Sequence, residues 1–211
     1  MIRIVADAIE DYARAHTSEE HPLYAKLRAE THANIPMPQM QVGTLEGRFL
    51  KLLVQLVGAK TAVEVGTYTG YSGLSIAEGL GDDGRLITFD MDPVATELAS
   101  RYFAEAPWGH KIELRLGDAR ALVPRVEGPI DFAFIDADKT GYIHYWDALV
   151  DKLRPGGLIV VDNVLWSGSV LTPKKDSDHA IVAFNAHATR DPRVEHVMVT
   201  VRDGMMLARK K

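Results

Sequence analysis

Four polar residues stand at the ends of two apolar runs in this sequence. FAFIDADK carries Asp136 and Lys139, and LIVVDN carries Asp162 and Asn163. Two carboxylates and an amide oxygen make a hard-oxygen set, suited to Mg2+, Mn2+ or Ca2+. An Asp-Asn pair after an apolar strand has little packing logic, because such side chains need partners or an ion to offset burial. Lys139 follows Asp136 by three residues. A cation beside a lysine favours its neutral form, which makes Lys139 a candidate general base. The plainer alternative is an Asp–Lys surface pair and a capped turn.

A second group sits upstream, in Glu64-Val65-Gly66-Thr67-Tyr68-Thr69-Gly70-Tyr71-Ser72. Gly66 and Gly70 let the backbone turn tightly and approach a ligand. Ser72 is a plausible helix cap. A dinucleotide loop needs a small residue where Tyr68 stands, so a pyrophosphate ligand is disfavoured. Glu64 adds a negative charge that suits an ammonium or sulfonium and repels phosphate. A glycine turn with a surface glutamate would read the same way. Asp90 lies 26 residues beyond Glu64, where an acid at the end of a second strand commonly accepts hydrogen bonds from a ribose. In Gly117-Asp118-Ala119, small residues leave room for a flat adenine, and Asp118 is a possible acceptor for its amino group; a capped turn is the alternative.

These residues must be positioned by something. Short β-rich runs recur at 61–66, 85–90, 111–116, 130–136 and 157–163, and helical stretches are expected between them, at 72–80, 94–104, 120–126 and 142–153. Such alternation predicts a parallel sheet with helices on both faces. Ligands of such sheets bind at the carboxyl ends of the strands. After a helix near 178–188, runs at 194–201 and 205–210 are joined by Arg202-Asp203-Gly204, a hairpin signal that predicts a closing antiparallel pair. Three helices come first. One is marked by Ile2, Val5, Ile9 and Tyr12, the next runs through HPLYAKLRAETH, and a third spans 45–57. The third is so apolar (Leu50, Leu52, Leu53, Val54, Leu56, Val57) that burial is expected. The organisation reads as a single domain over 1–211, with a helical cap at 1–58 and an α/β core at 60–211.

With 211 residues, 46% hydrophobic and 25% charged, the chain can bury a core. A net charge of −5 disfavours a nucleic-acid partner. Absence of cysteine excludes disulfides and thiolate chemistry. Acids break up the N-terminal segment, no run reaches membrane-span length, and a cytoplasmic, non-membrane protein is expected.

The motifs together resemble the metal-dependent class I O-methyltransferases, the caffeoyl-CoA O-methyltransferase-like family, with catechol O-methyltransferase more distant. The matching stretches are MQVGTLEGRFL (40–50), VEVGTYTGYS (63–72), FIDADK (134–139), RPGGLIVVDNVLWSGSV (154–170) and DGMMLARK (203–210). The resemblance implies a Rossmann-like seven-stranded methyltransferase sheet. It also implies an S-adenosylmethionine site lined by Val42, Glu64, Gly66, Thr67, Ser72, Asp90, Ala119 and Asp136. A divalent cation, Mg2+ before Mn2+ or Ca2+, would be held by Asp136, Asp162 and Asn163. Lys139 matches the base of the catechol enzyme, a catechol-like acceptor follows, and a homodimer is implied. Where the family often reads DADKDNY, this chain has Gly141 in place of the asparagine. Any bracing by that asparagine must come from elsewhere.

The segment 165–178 is expected to be a long loop, with Trp166 either walling the acceptor pocket or packing under the loop. Three competing readings are a nucleotide-dependent oxidoreductase, a metal-independent methyltransferase of another acceptor such as RNA or protein, and a binding module without turnover. NAD binding, metal dependence and turnover discriminate among them.

Overall fold

The computed structural model describes residues 5–211. Ile2, part of the expected first helix, lies outside the described residues. From Val5 onward that helix appears as α1 (Asp7–Ala15), followed by α2 (Pro22–Asn34) and α3 (Thr44–Val57). The alternating part then runs β1 (Thr61–Val65), α4 (Tyr71–Gly79), β2 (Arg85–Asp90), α5 (Pro93–Glu105), β3 (Ile112–Leu116), α6 (Ala119–Leu122), β4 (Ile130–Ile135), α7 (Tyr142–Val150) and β5 (Leu153–Val161). It closes with α8 (Asp176–Arg190), β6 (Val194–Val199) and β7 (Met205–Lys210).

All seven strands join one sheet in the order β3-β2-β1-β4-β5-β7-β6. The first five are parallel, and β7 pairs antiparallel with both β5 and β6. The expected topology is therefore present. Strand order reverses direction at β1, between β2 and β4, and the carboxyl ends of β1, β2, β4 and β5 open onto one cleft, where ligands of such sheets bind.

Local chemistry explains the boundaries. Asp92 caps α5 by accepting from the Val94 and Ala95 N–H groups, and Pro93 opens that helix. Asp118 caps α6 through the Arg120 N–H. β5 starts four residues before the expected 157, because Leu153 pairs with Ile130 ahead of a register shift in the ladder.

Burial of α3 corrects the expectation of a wholly buried helix. Leu50, Leu53 and Val54 are buried, but Leu52 and Leu56 are 50% and 74% exposed. At a hundred degrees per residue these two leucines point away from the sheet that the helix covers. The inner positions pack with α4 residues against Ala62, Phe132, Phe134 and Val160 on one sheet face. Helices α7 and α8 cover the other face with Trp146, Leu149, Ile181 and Phe184. Among the described residues no helix is long and apolar enough to cross a membrane.

Candidate active site

A cavity of about 1000 Å³ occupies the cleft at the strand ends. That is the scale of a site for a cofactor together with a small acceptor. Val42, Gly66, Thr67, Ser72, Asp90, Ala119, Asp136, Lys139, Asp162 and Asn163 all line it. Glu64 is the exception. It is fully buried one layer behind the wall, where its Oε2 accepts from the Thr88 hydroxyl at 2.6 Å. Burial pushes its carboxyl up to about 8.

Close backbone crossings build one end of the cavity. The Gly66 N–H donates to Phe89 O, and the Asp136 N–H donates to Val65 O, both at 2.9 Å. Gly66 has φ +104, and a Cβ there would lie 1.8 Å from the Asp136 carbonyl oxygen. Only glycine permits that approach. Asp90 then organises the loop, because its carboxylate accepts from the backbone N–H groups of Tyr68 (2.6 Å), Met91 (2.7 Å) and Asp92 (3.0 Å). Tyr68 does more than exclude a pyrophosphate. Its hydroxyl donates to Pro36 O at 2.9 Å and ties the segment before α3 to the loop.

At the other end, Lys139 Nζ donates to Asp136 Oδ1 (2.9 Å), Asn163 Oδ1 (2.7 Å) and the Tyr142 hydroxyl (2.5 Å). Asn163 Nδ2 donates to Asp162 Oδ2 at 2.8 Å, while Asp162 Oδ1 is buried without a hydrogen-bond partner. Burial, reinforced by Glu46 and Asp136, pushes the Asp162 carboxyl well up. Asn163 has φ +57, a left-handed conformation that asparagine tolerates better than most residues. The donor set fits a hard cation in kind: two carboxylates, an amide oxygen, and an orphaned buried oxygen among them. Among the described residues no three His, Asp or Glu side chains form a ready-made cage. Two carboxylates and an amide fall short of that number, and the Lys139 ammonium already engages Asp136 and Asn163.

The space of the missing asparagine is filled. A Cβ on Gly141 would lie 2.5 Å from the Tyr145 ring. Tyr145 donates to Asp138 Oδ1 at 2.6 Å, and Asp138 also takes Arg120. Tyr142 donates to the Asp162 carbonyl at 3.1 Å and braces the second acidic strand end directly.

Trp166 both lines the cavity and is tied to the start of α8. It lines the cavity with Lys139 Nζ 5.2 Å from its ring, and its indole N–H donates to Asp178 Oδ1 at 2.9 Å. The 165–178 segment is less irregular than expected, since Trp166–Leu171 forms a kinked 3-10 stretch and α8 begins at Asp176. The sequence reading missed Glu46 and Arg202. Glu46 is 1% exposed, lines the cavity from α3, and accepts from Arg202 Nη1 at 3.0 Å. The available signal was an acid at the helical spacing of Leu50 and Leu53 on a buried face.

Comparison with known proteins gives the family. Residues 14–211 match the family model described as O-methyltransferase. Caffeoyl-CoA O-methyltransferase of Petroselinum crispum is 35% identical over 220 residues, covering 97% of this chain and 91% of that protein. Tapetum-specific methyltransferase 1 of Arabidopsis thaliana is 34% identical, covering 97% and 94%. The O-methyltransferase TomG from Streptomyces achromogenes, solved in complex with SAM, superposes with a TM-score of 0.89 at 28% identity, covering 97% and 96%. This chain belongs to the O-methyltransferase family. The expectation of an S-adenosylmethionine-dependent O-methyltransferase is met at the level of family and reaction class.

Proposed function

We propose that residues 1–211 act as one catalytic domain that methylates a hydroxyl of a small catechol-like acceptor with the help of a divalent cation. The observation that carries this reading is the convergence of Lys139 Nζ, Asp136, Asn163 and the unpartnered Asp162 Oδ1 at one end of the cavity. A homodimer, implied by the resemblance, and a cytoplasmic location, expected from the sequence, are kept as part of the proposal.

S-adenosylmethionine supplies the electrophilic methyl group when bound. Asp90 would accept from its ribose, Gly66 and Thr67 would pass beside it, and the gap at Gly117 and Ala119 would take the adenine. Glu64 acts from behind the wall, through Thr88 and Thr67, which hydrogen-bond to each other at 2.6 Å. A divalent cation held by Asp136, Asp162 and Asn163 supplies Lewis acidity that makes the acceptor hydroxyl easier to ionise. A vicinal diol offers such an ion two oxygens and a monohydroxy phenol one, which favours catechols.

Lys139 would receive the hydroxyl proton at Nζ. Asp136, Asn163 and Tyr142 fix where Nζ stands, and Trp166 helps exclude water. Opposite charges would cancel as the methyl passed from sulfur to the acceptor oxygen and S-adenosylhomocysteine left as the neutral thioether, so a dry, well-aligned site would accelerate the step. The test is transfer of labelled methyl from S-adenosylmethionine to a panel of catechols and monohydroxy phenols, with Mg2+ and with EDTA. Transfer that requires both the cation and the diol is expected. Transfer indifferent to EDTA would remove the cation from the mechanism.

A further inference from the structure

Glu46 and Asp162 meet at the acidic end of the cavity, and the pair is chemically incomplete. The two carboxyl groups lie within hydrogen-bonding reach of each other. Glu46 Oε2 is taken by Arg202 and Asp162 Oδ2 by Asn163. The remaining oxygens, Glu46 Oε1 and Asp162 Oδ1, are buried with no partner. Two carboxylates cannot hydrogen-bond to each other without a proton between them. Orphaned buried oxygens are costly, and a cation relieves that cost as well as a proton does.

The surrounding charges favour a cation. Glu46, Asp136 and Asp162 line this end of the cavity together, and Arg202 pairs with Glu46 at 3.0 Å. Glu46 also occupies a helix position at the spacing of Leu50 and Leu53, where an apolar side chain would pack without penalty.

We propose that Glu46 is a positioning residue of the cation site: clamped by Arg202, it faces Asp162 and adds a further negative charge that strengthens binding of the divalent ion. The inference rests on the divalent-cation reading given above. Glu46 acts through Asp162 and through its charge, not as the base and not on the acceptor.

Mn2+ binding tests it directly, read by the loss of the free-ion electron paramagnetic resonance signal as protein is added. Glu46→Gln keeps the size and removes the charge; Glu46→Asp keeps the charge and shortens the side chain. Affinity for S-adenosylhomocysteine reports on the rest of the pocket in each variant. E46Q is expected to weaken Mn2+ binding about tenfold or more with S-adenosylhomocysteine binding retained. E46D is expected to recover most of that loss, which a packing role would not do, since glutamine is the closer fit in shape. Wild-type Mn2+ affinity in E46Q overturns the proposal while leaving the divalent-cation reading intact. A wild-type chain that binds no Mn2+ overturns both. If E46Q also loses S-adenosylhomocysteine, E46D decides: retained Mn2+ affinity supports the proposal, and its loss with S-adenosylhomocysteine still bound overturns it.

Discussion

Lys139 Nζ stands 2.7 Å from Asn163 Oδ1, so the amine and the proposed cation draw on the same amide oxygen. Carboxylate and amide oxygens each carry two lone pairs, which allows one oxygen to serve both. In the proposed mechanism the shared oxygens would fix the distance between the proton acceptor and the ion that makes the proton easier to remove. Asp136 adds a second tether at 2.9 Å, and the Tyr142 hydroxyl a third.

Replacing Lys139 with Met keeps most of the side-chain length and removes the proton acceptor. K139M is expected to lower kcat by roughly 10² to 10⁴, the usual weight of a positioned general base. S-adenosylhomocysteine affinity should stay near that of the parent. Steady-state kinetics on a catechol check this, and a kcat within a small factor of the parent would assign the proton to solvent.

Asp162→Ala removes the carboxylate whose Oδ1 has no protein partner. Methyl transfer should fall by more than ~100-fold, beyond the loss typical of residues that only support a metal ligand. Calorimetry should show Mn2+ binding lost together with activity. Retained activity with lost Mn2+ binding would separate the ion from the reaction.

How much of this was legible beforehand differs between the sheet and the site. All seven strands were visible, because most of the parallel runs are apolar and end at glycine, aspartate or asparagine, and the last two are joined by an Asp-Gly turn. Asp136, Lys139, Asp162 and Asn163 stood out because polar residues at the ends of apolar runs have no packing explanation. Glu46 did not, since helix α3 was judged by its total apolar content and not by its faces. The same lapse hid the exposure of Leu52 and Leu56. Arg202 lay in what read only as a hairpin turn, and its contact with Glu46 spans 156 residues of sequence. No local pattern carries such a pairing. Glu64 was legible as an acid at a strand end, but its retreat behind the cavity wall depends on which way the side chain leaves β1.

Gly66→Ala tests the crossing of the first and fourth strand ends. The added methyl would meet the Asp136 carbonyl oxygen at 1.8 Å, on backbone with φ +104. Backbone on both sides must move, so destabilisation above ~3 kcal/mol is expected, together with lost cofactor affinity. Urea unfolding of the variant without ligands measures it. A change of less than ~1 kcal/mol would mean that the two strand ends separate easily.

Glu64 makes stability depend on pH in a predictable direction. Burial raises its carboxyl from 4.5 in the unfolded chain to about 8 in the folded one. Between those values the folded state binds more protons than the unfolded state, so this group's contribution is complete below pH 4.5 and declines until the pH passes about 8. Its partner, the Thr88 hydroxyl, stabilises the carboxyl but does not replace lost water. Glu64→Gln cannot ionise and loses that slope. Relative to the parent, the variant should become progressively more stable as the pH is raised from 5 to 8 (a window set by the two values above), with the difference levelling off beyond. Unfolding midpoints of both proteins at several pH values, without cofactor, provide the comparison. Parallel curves across that range would mean that Glu64 ionises at an ordinary pH, and that water reaches it through the Thr67–Thr88 wall.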